Sequence, residues 1–451
     1  MRDAALSRAT AGVPLERLGV VSYDRAGVLA FSLVYVGTAL GAYALGPFPV
    51  QWLTQFFLLG VAGLLAMENR LPAVPGAGVL AVLLGWAGVV TFGRLMTFPY
   101  GVWMPAGATA PYPVYIALRF LGLLTFAASA CLVYWLLREG HRETLLRRIV
   151  WTGSLGAAAA VYIYFAQVNG WWEPSRTRMG TGGGEQSIEF AYAFHRALGT
   201  FREPSHLAEW LVLPLFASFT YRGRGRHLHT GVMAVALLLT GSLTGLAGIF
   251  LGLLGALLLS NPFRAGAMKL TVRLGAAVAV AMALFGFVAV GYRGKSANLL
   301  QVLTDRVVPL MEGGLGQSNR SYVLEYVMSR PIPFVGEGIG NSNIVFANAL
   351  GSPVTASFIS LYFNTLMSLG VVGLGLVLGL LALPVVRMAR QRRYRTDPEL
   401  MPLMAAYLGW LVMFGVHSEE LGLVFGIVYA LLAWEAAGRP LARPAAAGVP
   451  G

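Results

Sequence analysis

The sequence predicts an all-α, polytopic integral membrane protein of about twelve transmembrane helices, with two long loops on one side. Three observations predict it. Of 451 residues, 57% are hydrophobic and 12% are charged, and a soluble domain carries about twice that share of charge. The apolar residues gather in runs of about 17–25, the length a helix needs to cross hydrocarbon with its own backbone hydrogen bonds closed. The alternation of apolar and polar positions that a β-barrel requires is missing from these runs.

The chain opens with Arg2, Arg8, Arg17 and Arg25 and has no apolar stretch before Ala26, so the first span is expected to act as its own insertion signal. Spans are predicted at 27–46, 49–67, 77–95, 113–137, 149–168, 204–220, 231–242, 245–260, 274–292, 358–383, 402–417 and 421–437. The pair flanking TGSLTG at 240–245 is short, and the alternative is one bent span, which would place the C-terminus on the other side. These spans group into N-terminal helices (1–168), a first long loop with central helices (169–292), a large loop (293–357) and C-terminal helices (358–451).

With twelve spans, most of the 33 basic residues fall at the N-terminus or in one set of connections, running from Arg70, Arg138 and Arg142 to Arg439 and Arg443. The positive-inside rule assigns that side to the cytoplasm. The net charge of +13 is therefore topological, and no nucleic-acid partner is expected. The single cysteine, Cys131, sits in an apolar run and reads as a packing residue, which excludes a disulfide or a Cys-based metal site within the chain.

The other side keeps Arg176, Arg178, Arg196, Arg202, Arg293, Lys295, Arg306, Arg320 and Arg330 against that bias, which points to an anion on the outer face. The first long loop ends in Arg196-Ala-Leu-Gly-Thr-Phe-Arg202-Glu203-Pro-Ser-His206 and runs straight into a span. Pro204 suits a first helical turn, and a helix start adds its positive dipole end to Arg196 and Arg202. Such a place binds phosphate or pyrophosphate, the bland alternative being arginines that snorkel to lipid headgroups.

In the large loop, residues 319–329 read as helical, and Gly336-Glu337-Gly338-Ile-Gly340 reads as a tight turn near a ligand. Tyr322, Asn341 and Asn343 are candidate sugar contacts there. Leu299, Leu300, Leu303, Val307 and Leu310 recur at helical spacing, as in an interfacial helix. His417, Glu419 and Glu420 read as solvated residues of an outer turn. Neither a nucleophile elbow nor HExxH-like spacing occurs, so serine-hydrolase and zinc-protease chemistry are not supported.

These residues resemble the O-antigen polymerase and ligase superfamily of bacterial inner membranes (Wzy- and WaaL-like). The resemblance covers roughly residues 150–385. It rests on Arg196-x-x-Gly199-Thr-Phe201-x-Glu203-Pro204-Ser205, on the Thr240-Gly-Ser242 break, on Arg320 and the Pro-Ile-Pro-Phe-Val-Gly-Glu-Gly-Ile-Gly turn, and on Asn364 with Ser-Leu-Gly370-Val-Val-Gly373. It implies an all-helical glycosyltransferase of the GT-C type acting at the periplasmic face, with no cofactor and no metal. Its substrate would be an undecaprenyl-pyrophosphate-linked oligosaccharide, and its partners the lipid bilayer and a chain-length regulator protein.

Arg196 and Arg320 match the family's phosphate-binding positions; Arg202 is added here for its place at the helix start. Candidates for the base that activates the acceptor hydroxyl are Glu203, Glu337 and His206. Two departures stand out. Ser242 is followed by Leu243 where the family has Ser-Arg, and Ala356-Ser357-Phe358-Ile359 stands where the ligases place a catalytic His. The expectation is a polymerase, with a ligase or a lipid-linked oligosaccharide flippase as alternatives.

Overall fold

The computed structural model describes residues 23–108, 110–178, 196–260, 321–391 and 399–438, with isolated residues or short pieces at 272, 275, 290–292, 295–297, 394 and 397. Arg320, the leucines of the expected interfacial helix and most of the span expected at 274–292 lie outside the described residues.

The described chain is mostly helical: α1 Tyr23–Thr38, α2 Val50–Met67, α3 Ala77–Leu95, α4 Tyr112–Arg138, α5 Arg142–Asn169, α6 Pro204–Thr220, α7 Arg226–Leu239, α8 Leu243–Leu259, α9 Ser321–Met328, α10 Asn341–Ala349, α11 Leu361–Arg390, α12 Leu400–Met413 and α13 Leu423–Ala436. Two small antiparallel pairs, β1 Ala44–Leu45 with β2 Phe48–Pro49 and β3 Val290–Tyr292 with β4 Lys295–Ala297, are the described strands. Five helices (α2, α3, α4, α5 and α11) are long and apolar enough to cross a membrane, while α7, α8, α12 and α13 are shorter apolar helices. Leu33, Phe56, Val89, Phe92 and Phe250 point outward and exposed, as lipid-facing side chains do in a membrane-embedded bundle.

Several bounds follow directly from local chemistry. Glu203 is extended (φ −138°, ψ 151°) and Pro204 opens α6, because a first-turn proline lacks only an N–H that the helix leaves unpaired. Ser242 caps α8 by accepting from the Gly245 amide at 3.3 Å. The first helix, by contrast, stops at Thr38, well short of the expected residue 46. There Ala39 O accepts from Thr200 Oγ1 (2.5 Å) and the Ala42 amide donates to Thr200 O (2.9 Å), so backbone groups that would extend the helix are taken by a distant segment.

The chain reverses at Thr240–Ser242 instead of bending through one span. Thr230 of α7 hydrogen bonds Ser218 near the end of α6 (2.7 Å), whereas Gly245 of α8 faces Ala208 near its start and Gly252 faces Ala405 and Gly409 of α12. Thus α7 runs back along α6, and α8 returns beside it, packed extensively against α12. Glycine makes that approach: a Cβ on Gly252 would meet Ala405 O at 2.4 Å.

A second break lies inside α11. Gly370 takes φ 72° and ψ −172°, a conformation open essentially to glycine. The carbonyls freed there pair with the 333–338 stretch, through Glu337 N to Met367 O (3.0 Å) and Gly338 N to Ser368 O (2.7 Å). The glycine-rich turn therefore packs on α11 and α3 and not on open space for a ligand, correcting the expectation above; a Cβ on Gly336 would lie 2.2 Å from the Ser368 carbonyl carbon.

One end of the bundle joins the starts of α5 and α12 and the end of α13: Arg142 Nε donates to Glu435 (2.8 Å) and Arg222 Nε to Glu399 (2.9 Å). The opposite end gathers the end of α1, the starts of α4, α6 and α11, and the turn between α12 and α13. The candidate site lies there.

Candidate functional site

A cavity of about 670 Å³ opens at this end, lined by residues of α1, α4, α6 and α12, by Gly41 and Gln51 around the start of α2, by Ser357 and Ile359 ahead of α11 and by the 417–420 turn. Helical spacing on α6 places Glu203, His206 and Glu209 along one face of successive turns, so the cavity wall grades from an exposed mouth to a buried floor. Arg202 and Glu203 stand exposed at the mouth, where Glu203 accepts from Ser205 Oγ at 3.2 Å. Below them the His206 and His417 rings lie 4.9 Å apart, and His417 Nε2 stands 3.5 Å from Glu209 Oε2.

The first long loop brings in Arg178. Its Nη1 donates to Gly41 O (2.9 Å) and its amide to Ala42 O (3.1 Å), while Thr177 Oγ1 accepts from the Ala44 amide (2.8 Å). Burial first, and the neighbouring Arg202 charge second, pull the Arg178 guanidinium down to about 10. Arg178 is thus held on Gly41, which faces the Arg202 amide at the N-terminus of α6, the end of a helix that favours an anion.

The far wall is built on Glu419. Its Oε1 accepts from Arg119 Nη1 (2.6 Å), and its Oε2 from Ser357 Oγ (2.8 Å), the Phe358 amide (2.9 Å) and Asn343 Nδ2 (3.3 Å). Arg119 also donates to Glu420, whose carboxyl burial raises above its ordinary range against the opposing pull of Arg119. The reading of His417, Glu419 and Glu420 as solvated loop residues is corrected: the His417 side chain is 5% exposed and that of Glu419 15%. They turn inward because Arg119 is a cation inside an apolar run, and it needs these carboxylates.

Of the expected site residues, Arg202, Glu203 and His206 line this one cavity. Arg196 does not line it; its Nε donates to Thr240 O (2.6 Å), tying the mouth segment to the α7–α8 break. Glu337 is elsewhere, against α3 and α11, where its Oε2 accepts from Tyr100 OH at 2.5 Å. Burial first, then Glu337, raises the Tyr100 hydroxyl above the ordinary tyrosine range. Asn341 is buried between Tyr112 OH (2.8 Å) and Glu337 O (2.9 Å), and Asn343 touches the cavity only through Glu419. Tyr322 stacks on Phe346 with centroids 6.0 Å apart.

Sequence reasoning did not reach Arg119 or Trp410 as site residues, and reached Glu209 only as the end of the Glu203–Glu209 helix start. A lone arginine seven residues into a span was the available signal for Arg119. Among the described residues, no three His, Cys, Asp or Glu side chains stand in an arrangement that could hold a metal ion. A scan against protein-family models and a search of curated proteins gave no match to this chain.

Proposed function

We propose that the protein is a polyprenyl-pyrophosphate-dependent glycosyltransferase of a bacterial inner membrane, a polymerase that moves a growing glycan onto a lipid-linked repeat unit at the periplasmic face. The observation that carries this reading is Arg202 at the N-terminus of α6, lining one cavity with Glu203 and His206, while Arg178 is anchored to the cavity residue Gly41. As the anomeric carbon–oxygen bond breaks, negative charge grows on the departing pyrophosphate, and fixed cations and a helix dipole stabilise it. Arg202 and Arg178 supply that charge, joined in this reading by Arg320. Arg196 shapes the mouth through Thr240. Glu203 and His206, two of the expected base candidates, line the cavity, whereas the placement of Glu337 against Tyr100 argues against it as the base.

The reading includes twelve spans with the arginine-rich connections in the cytoplasm. Ser357 and Ile359, at the stretch where ligases carry a histidine, line the same cavity and bring no imidazole of their own. That favours a polymerase over a ligase moving glycan to lipid A core or protein. A second reading, transport of the lipid-linked oligosaccharide, draws on the broken α11 and on the Arg119 carboxylate cluster, since interrupted helices and intramembrane charge mark transporters. Purified protein incubated with lipid-linked repeat units separates the three on a gel. A ladder supports polymerisation, one shifted acceptor band means a ligase, and no covalent change means transport.

A further inference from the structure

The floor of the cavity holds two buried polar atoms that lack a hydrogen-bond partner, Glu209 Oε1 and Trp410 Nε1, on residues that both line it. Glu209 is 8% and Trp410 5% exposed. A buried acceptor and a buried donor left open in one cavity are each costly, by about 1–3 kcal/mol, and such costs are tolerated where a ligand completes the bonding. One group accepts and the other donates, so the complement is a neutral oxygen compound that can do both. A sugar hydroxyl pair fits.

We propose that Glu209, Trp410 and His417 form a hydroxyl-binding subsite for the acceptor sugar, deeper in the cavity than the arginine mouth. Its catalytic role rests on the glycosyltransferase reading above. The acceptor hydroxyl donates to Glu209 Oε1 and a second sugar oxygen accepts from Trp410 Nε1–H. As the hydroxyl oxygen bonds to the anomeric carbon, its O–H bond breaks and the proton passes to the Glu209 carboxylate. The carbon–oxygen bond to the pyrophosphate breaks with its electron pair leaving on the phosphate oxygen. His417 is a positioning residue, its Nε2 standing 3.5 Å from Oε2 of the same carboxylate. The two ends of the cavity thereby divide the substrates: the pyrophosphate donor at the cationic mouth, the neutral acceptor between Glu209 and Trp410.

The test uses the full chain in nanodiscs. In saturation-transfer NMR against a panel of methyl hexosides, wild type is expected to saturate at least one sugar. Glu209→Gln and, independently, Trp410→Phe are expected to lose most of that signal while remaining monodisperse. No saturation of any methyl hexoside by wild type, or equal saturation by both variants, overturns the subsite. In glycan transfer from lipid-linked repeat units, Glu209→Gln is expected to lose about 10²-fold or more in kcat with donor KM unchanged. His417→Ala should lose less, and His417→Gln should restore part of it. A Glu209→Gln enzyme with more than a tenth of wild-type kcat removes the proton-acceptor role. Wild type that binds methyl hexosides through Glu209 and Trp410 but forms no glycosidic bond leaves the subsite standing and removes the polymerase reading.

Discussion

Arg119 on α4 and Glu419 in the turn between α12 and α13 meet at 2.6 Å, 300 residues apart in sequence, with both side chains mostly buried. Removing one partner of such a pair leaves charge without compensation and costs about 3–5 kcal/mol. Arg119→Ala is therefore expected to lower the thermal midpoint of the detergent-solubilised protein markedly. Arg119→Leu combined with Glu419→Gln and Glu420→Gln should recover part of the loss, because no unpaired charge remains. A midpoint unchanged in Arg119→Ala would remove this cluster from the framework of the site.

At the mouth, Arg202→Ala is expected to lower transfer by about 10²–10³-fold at equal expression, the loss typical of one well-placed transition-state donor. Arg202→Lys should rescue only in part, since an ammonium lacks the bidentate fork. Arg320→Ala is expected to behave like Arg202→Ala. Arg196→Ala should lose stability as well as activity, because its Nε holds Thr240 O. Turnover and thermal melting measured side by side distinguish the two patterns.

Two glutamates give a sharper contrast. Glu203→Gln is expected to keep donor binding and lose turnover, whereas Glu337→Gln should retain most turnover, since Glu337 contacts Tyr100 outside the cavity. The reverse ranking, measured as kcat at saturating donor, would move the site to the glycine-rich turn.

Sidedness is tested by thiol labelling in a variant whose Cys131 is replaced. Trp172→Cys, exposed after α5, is expected to react with an impermeant reagent added from the periplasm, and Arg70→Cys, between α2 and α3, is not. The opposite pattern would place the cavity in the cytoplasm.

Much of the helical frame was legible because single local features fix it. The run 77–95 and the Pro204 start of 204–220 coincide with α3 and α6. The early end of α1 was not legible, because Thr200 decides it from across the fold. The break at Gly370 was hidden in Ser-Leu-Gly-Val-Val-Gly, which continues the apolar pattern on both sides. In the site, Arg202, Glu203 and His206 were visible from their spacing at one helix start. Glu209 was legible only as the end of that helix start, Trp410 reads as part of an apolar span, and nothing local to Arg119 announces Glu419 or Glu420. Pairings of that kind exist only once α4 and the last two helices are packed.

The most direct test counts polyprenyl pyrophosphate released against glycosidic bonds formed by the purified wild-type protein, with lipid-linked repeat units as donor and acceptor. One pyrophosphate carrier released per bond, falling in parallel with bond formation in Arg202→Ala, is the result expected if the cavity breaks the anomeric carbon–oxygen bond. Intact donor recovered in full would contradict it.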